Sequence, residues 1–270
     1  MTATAICYTP FGFALAAEGR QRWQHSPTRD EVVREDESDS VQKIFEMEVK
    51  QAVFAYTLVG DIASRDRSFD LGVELRNEAT SLCGKKFSSG PRFIEALSAK
   101  LEDAIERAKR EPRIEDYPAS EISFVGYFKD DPYWANVRFR RRGAGLLREV
   151  IRQELYPGLF FVTGSPLIGN LISRGDPRFA QYARPPNGNP TLHAAAGLVR
   201  GYIEACCSPL ALELDPENCR HIGGHIHVAT VTPPDLSLTS RIRNWLGRSS
   251  PRQAAAGFHW LEPPKLSVSG

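Results

Sequence analysis

Two short β-prone runs, Thr4 to Tyr8 and Phe13 to Ala17, flank Thr9-Pro10-Phe11-Gly12, whose proline and glycine punctuate a turn. A hairpin this close to the start predicts a sheet built from neighbouring antiparallel strands. The pattern repeats: Val41 to Met47 with Gln51 to Val59, then Ile122 to Phe128 with Tyr133 to Arg140, joined by Lys129-Asp130-Asp131-Pro132. Helical spacing comes in blocks between such pairs. One helix carries Ile62, Phe69, Val73 and Ala79 behind a candidate cap at Asp61. A second opens at Ser89-Gly90-Pro91 and sets Ile94, Leu97, Leu101, Ile105 and Ala108 on one face. Leu159 to Thr163 reads as a short strand before Gly164-Ser165-Pro166. A later helix follows Asn189-Pro190 with Leu192, Ala195, Val199, Tyr202, Ile203 and Cys206, and a strand closes the order near Gly224 to Thr232. Strand pairs and helices in blocks, without βαβ alternation, predict an α+β fold with antiparallel sheets.

Two segments read as irregular. Residues 21 to 40 are polar, with Pro27 and the run Glu35-Asp36-Glu37-Ser38-Asp39, and suit an exposed loop. The tail, 233–270, holds Pro-Pro pairs and small-residue runs and is expected to be mostly irregular, which leaves 2–232 as one domain.

Composition narrows the partners. Lys and Arg total 34 against 33 Asp and Glu, so no net field favours phosphate backbones or anionic membranes, and nucleic acid is not expected. The basic run Arg138-Phe139-Arg140-Arg141-Arg142 fits a strand with solvent-facing arginines. Neither a signal-peptide pattern nor an apolar stretch of membrane-spanning length is present, and the five cysteines are scattered. A soluble cytoplasmic protein with reduced thiols is therefore expected.

The first 43 residues carry the chemistry. Thr2, Gly12, Ala17-Glu18-Gly19-Arg20 and Ser40-Val41-Gln42-Lys43-Ile44-Phe45 match, in order, the opening of the proteasome β-type subunits, a family of N-terminal nucleophile hydrolases with HslV-like and ancestral β-like bacterial members. The chain resembles that family over roughly residues 2 to 232, most strongly to about residue 65. The resemblance implies a four-layer αββα sandwich, two antiparallel sheets between helix layers. It also implies a threonine peptidase acting on peptide or unfolded-protein substrates within a homo-oligomeric ring, with or without an ATP-dependent unfoldase.

The residue types have a shared chemical reason. A hydroxyl is a weak nucleophile at neutral pH, and a threonine at the chain start carries its own base, an α-amino group with a pKa of about 8. Removal of Met1 would expose it. The ammonium of Lys43 would lower the proton affinity of that amine and stabilise the oxygen as it ionises, with Glu18 holding the lysine. The resemblance assigns Gly60 as an oxyanion donor and Thr163, in Thr163-Gly164-Ser165, as the helper hydroxyl. Glu18 stands where the family has Asp. The family's distal Asp and Ser are unmatched in Asn218-Cys219-Arg220-His221-Ile222 before Gly223-Gly224, and Asp215 lies four residues upstream of Cys219.

Those gaps keep a second expectation open, a catalytically inactive subunit serving as a structural or binding module. A third is an amide hydrolase using the same threonine on a small substrate. Cys219-x-His221-x-x-x-His225-x-His227 has metal-like spacing, but without HExxH or paired CxxC it reads as packed strand histidines, and neither metal nor cofactor is expected.

Overall fold

A computed structural model of the chain describes residues 2–25, 34–39, 41–49, 52–60, 69–82, 84–110, 119–142, 145–185, 188–233 and 257–264. The chain divides into two compact units. One comprises Met1–Ile44, Tyr156–Thr230 and Trp260–Gly270, the other Phe45–Leu155 and Val231–His259.

The opening hairpin forms as the sequence predicts. β1 (Thr4–Thr9) pairs antiparallel with β2 (Gly12–Glu18), Thr4 opposite Ala17 and Thr9 opposite Gly12. The polar stretch that follows is not the expected loop. β3 (Gln21–His25) and β4 (Arg34–Ser38) pair into a two-stranded ribbon with Arg22 opposite Glu37. Backbone pairing needs no apolar face, so a charged ribbon escapes a reading based on hydrophobic alternation.

The second unit is built on a five-stranded sheet. Its order is β5 (Ile44–Val49), β6 (Ala52–Val59), β7 (Ser120–Phe128), β8 (Asp131–Arg142) and β9 (Gly145–Arg152). Each strand neighbours its predecessor, so the sheet is a meander. The helices α1 (Leu71–Leu82) and α2 (Gly90–Arg110) arise between β6 and β7. α1 starts later than the sequence suggests: Asp70 Oδ1 accepts the Val73 amide at 2.8 Å, giving the end a capping carboxylate, while Asp61 and Ile62 lie outside the described residues. Val73, expected on the buried face, is exposed. Ile94, Leu97, Leu101 and Ile105 of α2 are fully buried with Phe54, Tyr56, Phe124, Val137 and Phe139 of the sheet. Burying one such aliphatic chain contributes roughly 1.5–3 kcal/mol. The alternate residues Thr57, Val125, Trp134 and Asn136 are buried too, so both faces of this sheet carry buried side chains.

The other antiparallel sheet is ordered β10 (Phe160–Val162), β1, β2, β11 (Ile226–Thr232) and β12 (Gly257–Glu262), and most of it belongs to the first unit. Its helices are α3 (Pro166–Ser173), α4 (Leu192–Cys206), α5 (Pro209–Leu214) and α6 (Pro216–Cys219). β1 and β2 contribute Ala5, Cys7, Ala14 and Ala16 to a core shared with Val199, Tyr202, Ile203 and Cys206 of α4. Small side chains on the sheet let a helix carrying larger ones pack close. β12 falls within the tail expected to be irregular; the rest of that tail, apart from residues 233, 263 and 264, lies outside the described residues. Two antiparallel five-stranded sheets with segregated helices make the chain α+β, as its element order predicts. Among the described residues no helix is long and apolar enough to cross a membrane, and the four described cysteines are free.

Candidate functional site

β2 ends at Glu18, whose side chain is wholly buried, and the chain then turns through Gly19 and Arg20. A carboxylate in such a place needs donors, and three converge on it. Oε1 takes the Lys43 ammonium and the Ala3 amide, the latter at 3.4 Å, while Oε2 takes the Arg20 amide at 2.7 Å. The Lys43 ammonium also donates to the Arg20 carbonyl at 2.5 Å. Glu18 is thus tied to Lys43 and to the residue after Thr2.

Lys43 lies just before β5 and is 7% exposed. Its approach is fixed by backbone bonds: the Val41 amide donates to the Gly19 carbonyl at 2.9 Å, and the Lys43 amide donates to Nε2 of His227 at 3.1 Å. Burial pushes the Lys43 ammonium down from its ordinary range, opposed by the attraction of Glu18. Burial pushes the Glu18 carboxyl up, opposed by Lys43 and the two backbone donors.

Thr163 stands on the other side of β1. Its Oγ1 accepts the Thr4 amide at 3.0 Å, lies 2.9 Å from Thr4 Oγ1, and donates to the Thr2 carbonyl at 3.2 Å. The Thr163 amide in turn donates to the Thr4 carbonyl at 2.9 Å. One hydroxyl thereby fixes the backbone on both sides of Ala3. Gly164 follows with φ of 98°, and a Cβ there would sit 2.8 Å from the Ala3 side chain, so only glycine lets this segment lie against β1.

The segment is anchored from behind by residues that sequence reasoning did not select. Tyr202 Oη of α4 donates to the Thr163 carbonyl at 2.7 Å and accepts the Ser165 amide at 3.0 Å. Ser165 Oγ accepts the Ile168 amide, capping α3, and donates to Asp215 Oδ2 at 2.5 Å. Asn218 donates to both oxygens of Asp215 at 2.9 Å. Although burial opposes it, bonds from Ser165 and Asn218 hold the Asp215 carboxyl below its ordinary value. Ser165-Pro166 before an apolar run was the available signal for this cap.

Of the five residues singled out from sequence, Thr2, Glu18, Lys43 and Thr163 belong to the first unit, where the bonds above connect them. Gly60 follows β6 in the second unit, with φ of 72° and the Ala119 carbonyl oxygen 2.4 Å from where a Cβ would lie. The histidines of the metal-like spacing have other engagements: His225 Nε2 lies 2.9 Å from the Pro263 carbonyl, and His227 binds Lys43. Among the described residues no group of three or more His, Cys, Asp or Glu is arranged to hold a metal ion.

No family model matches the chain. No curated protein matches it either. Among solved structures it is similar to Anbu (ancestral beta-subunit) from Yersinia bercovieri, at 12% sequence identity and a TM-score of 0.48, over 92% of this chain and 94% of that one. At that distance no residue's role passes from one chain to the other.

Proposed function

We propose that this chain is an N-terminal threonine peptidase in which Thr2, once it is the first residue, attacks a peptide carbonyl through Oγ1. The observation that carries the reading is the buried Glu18–Lys43 pair, bound to the amide of Ala3, the residue next to Thr2. The Thr2 amine takes the hydroxyl proton as the C–O bond to the substrate carbonyl forms. The Lys43 ammonium lowers the proton affinity of that amine and stabilises the developing oxyanion of the nucleophile. Gly60 donates its N–H to the substrate oxyanion. The tetrahedral intermediate collapses by expelling the amine of the leaving peptide, protonated by the Thr2 ammonium, and water then releases the acyl group by the reverse sequence. Thr163 acts by holding the Thr2 carbonyl and the Thr4 amide. The enzyme works as a homo-oligomer that confines its peptide substrates.

The test is covalent labelling with an electrophilic peptide that captures N-terminal threonines, read by intact mass. Thr2→Ala should abolish the adduct. Equal labelling of that variant, or retention of Met1 on the active protein, would refute the nucleophile. A catalytically inactive structural subunit is the second reading, favoured by one observation. Cys219 and Ile222, in the 218–222 segment where the family's Asp and Ser are unmatched, are buried in the apolar core. Stable oligomers that take no label at all would select it.

A further inference from the structure

We propose that His227 is the positioning residue for Lys43, holding the lysine through a fixed imidazole tautomer. The proposal rests on the threonine-hydrolase reading for its catalytic consequence and on the geometry alone for the contact. Lys43 precedes the first hydrogen-bonded residue of β5, so no strand neighbour takes its amide. That N–H is buried and needs an acceptor. It finds one 184 residues away in sequence, Nε2 of His227, at 3.1 Å.

An imidazole nitrogen that accepts a hydrogen bond carries a lone pair, so the proton of the neutral ring must be on Nδ1. His227 is 1% exposed, and its Nδ1 has no hydrogen-bond partner among the described residues. The ring is held by packing instead, edge-on to Trp260 of β12 with centroids 6.1 Å apart and planes at 70°. The groups that act on it are Lys43, whose ammonium is bound by Glu18, and His225 two residues before it, whose charge adds to the downward push while its backbone opposes it. Burial first, and then the positive charge of Lys43, push the His227 imidazole down to about 4. The ring is neutral at working pH and able to accept.

This arrangement explains an otherwise costly choice. A buried Nδ1–H without a well-formed hydrogen bond is tolerated where a leucine or phenylalanine would pack at least as well. What the apolar residues lack is the acceptor. Without it the Lys43 amide is orphaned, and the lysine segment is free to relax away from Glu18 and the Thr2 end of β1. The edge strand β12, from the tail, thereby gains a role, because Trp260 keeps the imidazole turned toward Lys43.

The test compares His227→Leu, which removes the acceptor and keeps bulk, with His227→Gln, whose Oε1 reaches about as far as Nε2. Thr2-dependent labelling should slow at least tenfold in His227→Leu and stay within about threefold of the parent in His227→Gln. Independently of activity, ¹⁵N NMR of the parent protein should show His227 protonated on Nδ1 and not on Nε2. The Lys43 amide should be protected from exchange in the parent and in His227→Gln but not in His227→Leu. An Nε2-protonated ring, or an equally protected Lys43 amide in all three proteins, overturns the proposal. So do unchanged labelling in His227→Leu and equal loss in both variants with fold retained, the latter being the mark of packing alone. Should the parent take no label, the peptidase reading falls, and the tautomer and amide protection decide the His227–Lys43 contact by themselves. Should His227→Leu fail to fold, the tautomer in the parent and the rescue by His227→Gln still decide it.

Discussion

The sharpest quantitative expectation concerns the buried pair, approached with Glu18→Gln, Lys43→Met and the double variant. Three donors converge on the Glu18 carboxylate: the Lys43 ammonium and the amides of Ala3 and Arg20. A glutamine offers one acceptor oxygen and turns an NH₂ group toward the rest, so at least one buried donor faces another donor. Removing one member of a buried ion pair typically costs about 3–5 kcal/mol. The lysine has an escape, because burial already pushes its ammonium down. Losing the proton of an ordinary lysine at pH 7 costs roughly 5 kcal/mol, which caps the penalty. Lys43→Met leaves the carboxylate with its two amides, and protonation of Glu18 is its escape, so a cost near the low end, about 3 kcal/mol, is expected. In the double variant the carboxamide oxygen serves one amide and no charge remains buried. Its cost should fall short of the summed singles by at least about 2 kcal/mol. Guanidinium unfolding followed by both tryptophan fluorescence and far-ultraviolet circular dichroism measures the cycle, coincidence of the two transitions licensing the free energies. Single costs below about 1 kcal/mol that simply add would refute the buried-pair reasoning, because that is how solvated surface pairs behave.

Thr163→Val, similar in shape, strips the bonds to Thr2 and Thr4; it should lower stability by about 1–3 kcal/mol and slow Thr2 labelling at least tenfold, with Thr163→Ser close to the parent. Labelling kinetics and chemical unfolding of the two variants check this, and equal behaviour of Val and Ser would refute it. For pH, His227 is held at about 4 against an ordinary 6.5, so between those values the unfolded chain binds more protons. Its stabilising contribution, roughly 3 kcal/mol, is complete above about pH 6.5 and lost as pH falls toward 4. The difference in unfolding free energy between the parent and His227→Gln, measured from pH 7 to 4, should shrink by that amount; a flat difference would show a ring that titrates normally. Asp215→Asn should weaken the Ser165 cap of α3 by about 1 kcal/mol while leaving the labelling rate within threefold, and a tenfold slower rate would place Asp215 in the chemistry.

What the sequence disclosed of the fold follows the physics of periodicity. The β1–β2 and β7–β8 hairpins were legible as β-prone runs punctuated by turn residues, and α2 by apolar residues recurring on one helical face. β3 and β4 were not, because Gln-Arg-Trp-Gln-His and Arg-Glu-Asp-Glu-Ser show no apolar alternation; that Arg22 falls opposite Glu37 is seen only once the pairing is known. α3 was hidden for the reverse reason, since Leu167, Ile168, Leu171 and Ile172 crowd eight residues and leave little polar contrast. β12 carries aromatic Phe258 and Trp260, and that alternation was the signal within a tail dominated by proline and small residues.

The site divides along the same line. Glu18 and Lys43 were legible through the family resemblance of Ala17-Glu18-Gly19-Arg20 and Ser40–Phe45, and the structure adds that both are buried and paired. The supports were not, because His227 reaches Lys43, and Tyr202, Ser165 and Asp215 reach the 163–165 segment, only through tertiary packing. That packing sharpens what the unmatched distal positions mean. Cys219 and Ile222 are buried with the apolar side chains of α4, so neither offers a charge to the Thr2 end of β1. Asp215, four residues before Cys219, is spent on Ser165 Oγ and Asn218, where it steadies the 163–165 segment through the cap of α3. Tyr202 steadies the same segment at the Thr163 carbonyl. On the peptidase reading proposed above, support for Thr2 comes from the rigidity of the backbone around it, which Thr163 holds at the Thr2 carbonyl and Glu18 at the Ala3 amide, rather than from a distal carboxylate.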